Sequence, residues 1–210
     1  MEHLDSRQIL LRAGIALMWE QGYAATGIQA IVDRAKLPKG SFYHHFGSKE
    51  RFGEEVVAAY FDDHLNKVLR RFLQDETVSP RRRLLSYFAH MAERMKDDKF
   101  CRGCLVGTFA LESADASKAI QMRLSMIFAA WRAAFAGCIA AAQAAGEVDT
   151  ATTAGDLAEF LLSSWEGALL RAKADKAQAP IDVFQRMVAE RILAPNPHTR
   201  HVGNDALEKN

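Results

Sequence analysis

One residue, Pro38, does most to limit how this 210-residue chain can fold, because it separates two short helical stretches. Proline drives the residue before it, Leu37, out of the α region, and its own fixed φ suits the first turn of a new helix. Upstream, Thr26-Gly-Ile-Gln29 has the spacing of a capping box and opens a helix through Ile28, Ile31 and Val32 to about Ala35. Downstream, a second short helix ends at Phe46-Gly47, and Ser48 caps a long helix through Phe52, Val56, Tyr60 and Leu65 towards Phe72. Two short helices joined by a turn of about four residues, wedged between longer ones, have the form of a helix-turn-helix.

The remaining pattern is helical throughout. Residues 5–22 divide into apolar and polar faces, with Asp5 and Gln8 spaced for a capping start and Gly22 as the stop. Ser79-Pro80 opens another helix, with Leu84, Leu85, Phe88 and Met91 on one face, and "KDDKFCRGC" breaks it. A short apolar helix follows from about Cys104 to Ser113, then a long Ala-rich helix over 116–145, another over about 152–173, and a last one over 180–193. Strand-like alternation is scarce and there are only 5 prolines, so the expected class is all-α. The expected division is a head at 1–50, a larger body at 51–194 and a tail without apolar periodicity at 195–210. The Ala-rich stretch from Ile127 to Ala145 is interrupted by Arg132 and Gln143, so no membrane span is expected. With no signal-peptide run and only three cysteines, a cytoplasmic protein with reduced thiols is expected.

A net charge of +1 gives no sign of a polyanionic partner, but the local balance does. From Arg34 to Arg51 five basic residues (Arg34, Lys36, Lys39, Lys49, Arg51) face one acid, Glu50, and local charge is what neutralises phosphates. Pro38 and Gly40 keep the start of the second helix slim, with its N–H groups open to an anionic backbone. Lys39 and Ser41 point away from the apolar side set by Leu37, Phe42 and Phe46, towards base edges or phosphates. Tyr43, Lys49 and the Thr26 hydroxyl are read as phosphate contacts. Thr26 and Ser48 would cap helices with or without DNA, and His45 and Phe46 hold the head together.

Cys101-Arg-Gly-Cys104 admits three readings. Zinc needs two further ligands, and His64, His90, His198 and His201 form no such set, so no metal and no cofactor is expected. Small apolar packing near a helix start is the second. The third is a sensing thiol, Cys104, whose place at a helix N-terminus near Arg102 favours thiolate. Cys138 reads as inert core. Arg171 and Lys173 either supply a cation to a pocket or end a helix as solvated charges, and Trp165 either lines that pocket or fills the dimer core.

Taken together, "GYAATGIQAIVDRAKLPKGSFYHHFGSKERF" resembles the DNA-binding head of TetR-family transcriptional repressors, through its Gly-Tyr, its Thr, K-G-x-x-Y-x-H-F and Ser-Lys-Glu. In that family the positions matching Gln29, Tyr43 and His44 also touch DNA. "RGCLVG" and "WEGALLRAK" are similar to a branch that responds to reactive electrophiles or small unsaturated carboxylic acids, and Cys104 is the cysteine in the matching Gly-Cys-Leu. Gly107-Thr108 stands where that branch has Gly-Asn. The resemblance implies a homodimer paired through helices near 152–173 and 180–193, reading a palindromic double-stranded operator and released by a small-molecule effector. A transcriptional activator with the same head and a thiol-dependent enzyme are the alternatives. Against the enzyme, the chain has no Gly-x-Ser-x-Gly, phosphate loop or dinucleotide fingerprint, and no histidine in the apolar helices after His90.

Overall fold

A computed structural model describes residues 5–195, apart from the His64 side chain; the expected tail at 195–210, with His198 and His201, lies outside the described residues beyond Pro195. All regular structure among the described residues is helical. Helix α1 (Ser6–Gln21) starts on the expected capping box, Asp5 accepting from the Gln8 N–H and the Gln8 side chain from the Asp5 N–H. It stops at Gly22, whose φ of +89° is open mainly to glycine.

Helix α2 (Ile28–Ala35) corrects the second capping box. Its N-cap is Gly27, with no side-chain cap. Thr26 is fully buried and donates its hydroxyl back to the Gly22 carbonyl at 2.6 Å, while Gln29 donates forward to Asp33. Burial explains the switch, since a hydroxyl out of water must take the partner within reach. Lys36 ends α2 in the left-handed region, and Pro38 is the N-cap of α3 (Lys39–Phe46) rather than a residue of its first turn. Ser48 caps α4 (Lys49–Tyr60), accepting from the Arg51 N–H at 3.1 Å. The single long helix expected here is instead α4, a π-helical turn at Phe61–Asn66, and α5 (Lys67–Leu73).

The body comprises α6 (Pro80–Asp97), α7 (Leu105–Ser113), α8 (Lys118–Ala144), α9 (Ala154–Asp175) and α10 (Ala179–Met187), the last followed by a π-helical turn at Val188–Ile192. Between α6 and α7, Lys99 and Phe100 both have positive φ, and this turns the chain where "KDDKFCRGC" breaks the helical pattern. Helix α8 is long and apolar enough to cross a membrane by length and composition, Arg132 being its one charge between Leu124 and Ala145. Here it forms the spine of the body, packing against α4, α5, α6, α7 and α9. Tyr87, Phe88, Phe135, Trp165 and Phe184 interlock around it, successive ring centroids lying 4.9–5.4 Å apart.

The head closes on a second aromatic cluster, Phe42, Phe46 and Phe52, with centroids 4.7–5.6 Å apart and all three rings buried. Gly14 of α1 lies directly on it. A methyl added there would sit 2.4 Å from Phe52 Cζ and 2.6 Å from Cε1. The two neighbouring rings leave Phe52 no room to retreat, so Gly14→Ala is expected to destabilise the protein by about 1–3 kcal/mol. Urea unfolding followed by circular dichroism checks this; a variant as stable as wild type would show that α1 can lift from α4 at no cost.

Candidate functional site

Two groups of residues bear on function, one on the outer face of α3 and one inside the body. Phe42 and Phe46 anchor α3 from beneath, which leaves Lys39, Gly40, Tyr43 and His44 exposed, with Ser41 half-buried beside them. Nothing lies within 4 Å of where a Gly40 Cβ would be, so the start of α3 is open to an incoming surface. Gln29 is exposed on α2. Its partner in the expected set, Lys49, turns inward, donating to the Ala24 carbonyl at 3.2 Å and lying 4.7 Å over the Tyr23 ring. Burial lowers its pKa, partly offset by Glu112. Glu112 itself accepts the Ala24 N–H at 2.8 Å, so α7 grips the turn between α1 and α2. His45 bonds Ser6 at 2.7 Å, as expected of a residue that holds the head together.

Inside the body a cavity of about 380 Å³ opens between α6, α8 and α9 and reaches the head. Trp19 at the end of α1 and Tyr60 at the end of α4 line it from the head side, their rings 5.2 Å apart edge to face. Trp131 and Trp165 line it from the body, with Arg94 and Cys104 between. The Arg94 guanidinium forms no ion pair with any described residue.

Of the expected sensing residues, the structure brings Cys104 and Trp165 together at this cavity and places the others elsewhere. Trp165 is fully buried against Phe88 and Phe184, with its indole N–H unpartnered, so it belongs to the subunit core. Cys101 is exposed and does not line the cavity. Arg171 pairs with Asp175 at 3.0 Å on the outer face of α9, 69% of its side chain exposed. Lys173 lies behind the cavity wall, its Cδ 3.5 Å from where a Gly103 Cβ would be.

The thiolate expectation is reversed. Cys104 is the N-cap of α7, but burial and the nearby Glu166 carboxylate push its thiol well above the usual range, outweighing the Gly107 and Val106 N–H groups. Arg102 does not help, because its guanidinium stacks 5.3 Å over Trp19 and pairs with Asp98 and Glu20. Burial also raises Cys138, to about 11, and its thiol donates to the Pro80 carbonyl.

Two family models match the chain: bacterial regulatory proteins of the tetR family over residues 10–56, and the tetracyclin repressor-like C-terminal domain over 80–188. The chain is 37% identical over 206 residues to the HTH-type transcriptional repressor DhaR of Mycobacterium sp. strain GP1, covering 98% of this chain and 100% of that one. This chain belongs to the TetR family. It is also 34% identical to the transcriptional regulator AcuR of Cereibacter sphaeroides, covering 86% of this chain and 82% of that one. A TetR regulatory protein from Rhodobacter sphaeroides superposes with a TM-score of 0.81 at 34% identity, over 87% and 96% of the two chains. TetR-family regulators bind operator DNA.

Sequence reasoning missed Glu166 and Arg94, and a signal existed for both. Glu166 follows Leu162 by four residues and precedes Leu169 by three, which puts a carboxylate on the buried stripe of α9. Arg94 stands seven residues after Tyr87 on the stripe of α6. Among the described residues, no group of three or more His, Cys, Asp or Glu is placed to hold a metal ion.

The Glu166 carboxylate end is buried, with Oε1 unpartnered, and burial lifts its pKa to about 7 against a small opposing pull from Cys104. A carboxyl raised by folding stabilises the native state fully below its unfolded pKa and loses that contribution as pH rises through the folded value. Stability is therefore expected to fall between about pH 4.5 and 7, by up to about 3 kcal/mol. Glu166→Gln should remove that slope and be the more stable protein above neutrality. Urea midpoints across this range decide it; parallel profiles for the two proteins would show that the carboxylate is solvated.

Proposed function

We propose that this chain is a homodimeric cytoplasmic repressor that leaves its operator when a small electrophile occupies the cavity behind Trp19. One observation carries the reading: Trp19 of the head and Cys104 of the body line the same space. Whatever fills that space touches both the DNA-binding head and the only thiol that the cavity offers. DhaR, which is 37% identical, is a transcriptional repressor, and this supports the direction of regulation.

In this reading residues 1–50 are the DNA-binding head and 51–194 the ligand-binding and dimerisation body. Lys39, Gly40, Ser41, Tyr43, His44 and Gln29 meet the operator, while Thr26 and Lys49 brace the turn behind them. The dimer forms through α9 and α10, whose outer faces carry the exposed side chains Phe160, Leu170, Val183 and Met187. Apolar groups of this size on two adjacent helices suit a self-complementary four-helix contact about a two-fold axis. Two heads so fixed would meet successive major-groove faces of a palindrome. No enzymatic turnover is part of this reading, in which the effector acts by occupying the cavity.

The test is binding to duplex DNA from immediately upstream of the protein's own gene, titrated at several salt concentrations with and without methyl vinyl ketone. Tight binding lost on treatment, and kept by Cys104→Ser under the same treatment, is the expected result. Treated Cys104→Ser that still lets go would place the effector site elsewhere. Lys39→Ala is expected to flatten the salt slope by about 0.9, one phosphate contact's worth. Lys49→Ala should instead weaken binding with the slope unchanged, because its ammonium group is spent on Ala24 and Tyr23. Equal loss of slope in both variants would return Lys49 to the phosphate contacts.

A further inference from the structure

We infer that Glu166 is the general base for Cys104, taking the thiol proton as the sulfur adds to an α,β-unsaturated carbonyl compound bound in the cavity. This rests on the reading of Cys104 as the sensing thiol.

The geometry is that of a built pair. Cys104 faces the cavity, whereas Glu166 reaches it from behind, on α9, and is not part of the cavity wall. The Glu166 carboxylate raises the Cys104 thiol, and its Oε1 is buried with no hydrogen-bond partner. Gly107 makes the approach possible: a methyl there would sit 2.7 Å from Glu166 Oε2 and 3.7 Å from Cys104 Cβ. Among the described residues no cation pairs with the carboxylate, and Arg132 in the same groove pairs with Glu159 at 3.4 Å. A buried carboxylate beside a thiol, with neither an ion pair nor a cap to maintain among the described residues, has no structural task that a glutamine would not perform better.

Around the pair stand Tyr60 from α4, Tyr87 and Arg94 from α6, Asp97, Asp98 and Arg102 on the cavity wall, and Arg132 and Glu159 in the groove beside Glu166. Burial raises both tyrosines and lifts Glu166 to about 7. The step balances without an oxidant or a leaving group. The S–H proton passes to the carboxylate and the sulfur pair bonds the β-carbon. The C=C pair moves onto the carbonyl as an enolate, and Glu166 returns the proton to the α-carbon. The net change is addition of S–H across the double bond. Arg94, on the cavity wall, supplies the positive charge suited to the enolate oxygen.

A carboxylate that merely holds the proton on sulfur would have the opposite effect on rate, and this makes the inference decidable. In a Cys101→Ser background, methyl vinyl ketone is added from below to above neutrality and the Cys104 adduct is followed by peptide mass. With Glu166 intact the rate should rise through about pH 7 and level off. Glu166→Gln should react about 100-fold more slowly near neutrality, without that inflection, and Glu166→Asp should restore part of the rate. Unreacted variants should still bind operator DNA, which shows that they are folded. A Glu166→Gln protein that reacts as fast as its parent, or faster, overturns the base assignment and leaves the sensing thiol standing. No Cys104 adduct even with Glu166 intact overturns the sensing reading itself, and the inference with it.

Discussion

The Trp19 indole N–H donates to the Gly103 carbonyl at 2.7 Å, and this bond refers the body of the protein to its head. Trp19 sits on the last turn of α1, and Gly103 is the residue before Cys104, so the bond joins the end of the first head helix to the start of α7. The loop that carries Gly103 also holds Arg102 flat over the Trp19 ring, where it reaches Glu20. Glu20 in turn takes both guanidinium nitrogens of Arg34 on α2, at 3.0 and 3.2 Å. A shift of the cavity wall at residues 102–104 therefore has to carry α1 with it or break these contacts.

Magnitudes decide which of these contacts matter. Arg34, Glu20 and Arg102 are each about two-fifths exposed, and such pairs contribute about 0–1 kcal/mol. The part-buried Trp19 bond is worth about 1 kcal/mol, with the edge-to-face packing on Tyr60 adding about as much again. Their sum lies in the 1–3 kcal/mol range typical of coupling between sites. That is strong enough to link cavity and head, and weak enough for a small ligand to reset. The second tether, from Glu112 and Lys49 onto the turn between α1 and α2, keeps the head from pivoting freely about the first. The π-helical turn at Phe61–Asn66 lies where the connecting helix passes the cavity, with Leu65 on its wall. A π turn relaxes to regular α geometry with a local change of winding, so it offers α4 a way to move.

The helices were legible because each carries its own periodicity and most carry a terminal signal: Asp5, Gly22, Pro38, Ser48 and Pro80 mark ends that the structure keeps within a residue or two. The helix-turn-helix was legible for the same reason. Thr26 misled because a capping box is a local pattern, and burial against Gly22 is a tertiary fact that overrides it. Lys49 shows the same limit, since its contacts with Tyr23 and Ala24 in the turn between α1 and α2 leave no local mark in the sequence. At the cavity the presence of a cysteine was readable and its environment was not. A helix N-terminus and a neighbouring arginine both argue for thiolate in sequence, but the carboxylate that opposes them is 62 residues away, on α9.

The contrast between the two cysteines of Cys101-Arg-Gly-Cys104 turns that misreading into a principle of selection. Cys101 is exposed to any oxidant or alkylating agent in solution, whereas the Cys104 thiol is desolvated and held protonated. An exposed thiolate would respond to reagents according to their reactivity alone. A protonated thiol beside its own base responds only to a molecule that enters the cavity, fits between Trp131 and Trp165, and presents its electrophilic carbon to sulfur. On that mechanism the raised thiol is what confers specificity: it keeps Cys104 quiet toward reagents that do not fit. The energetic cost of burying Glu166 beside it is then the stability this fold gives up for discrimination.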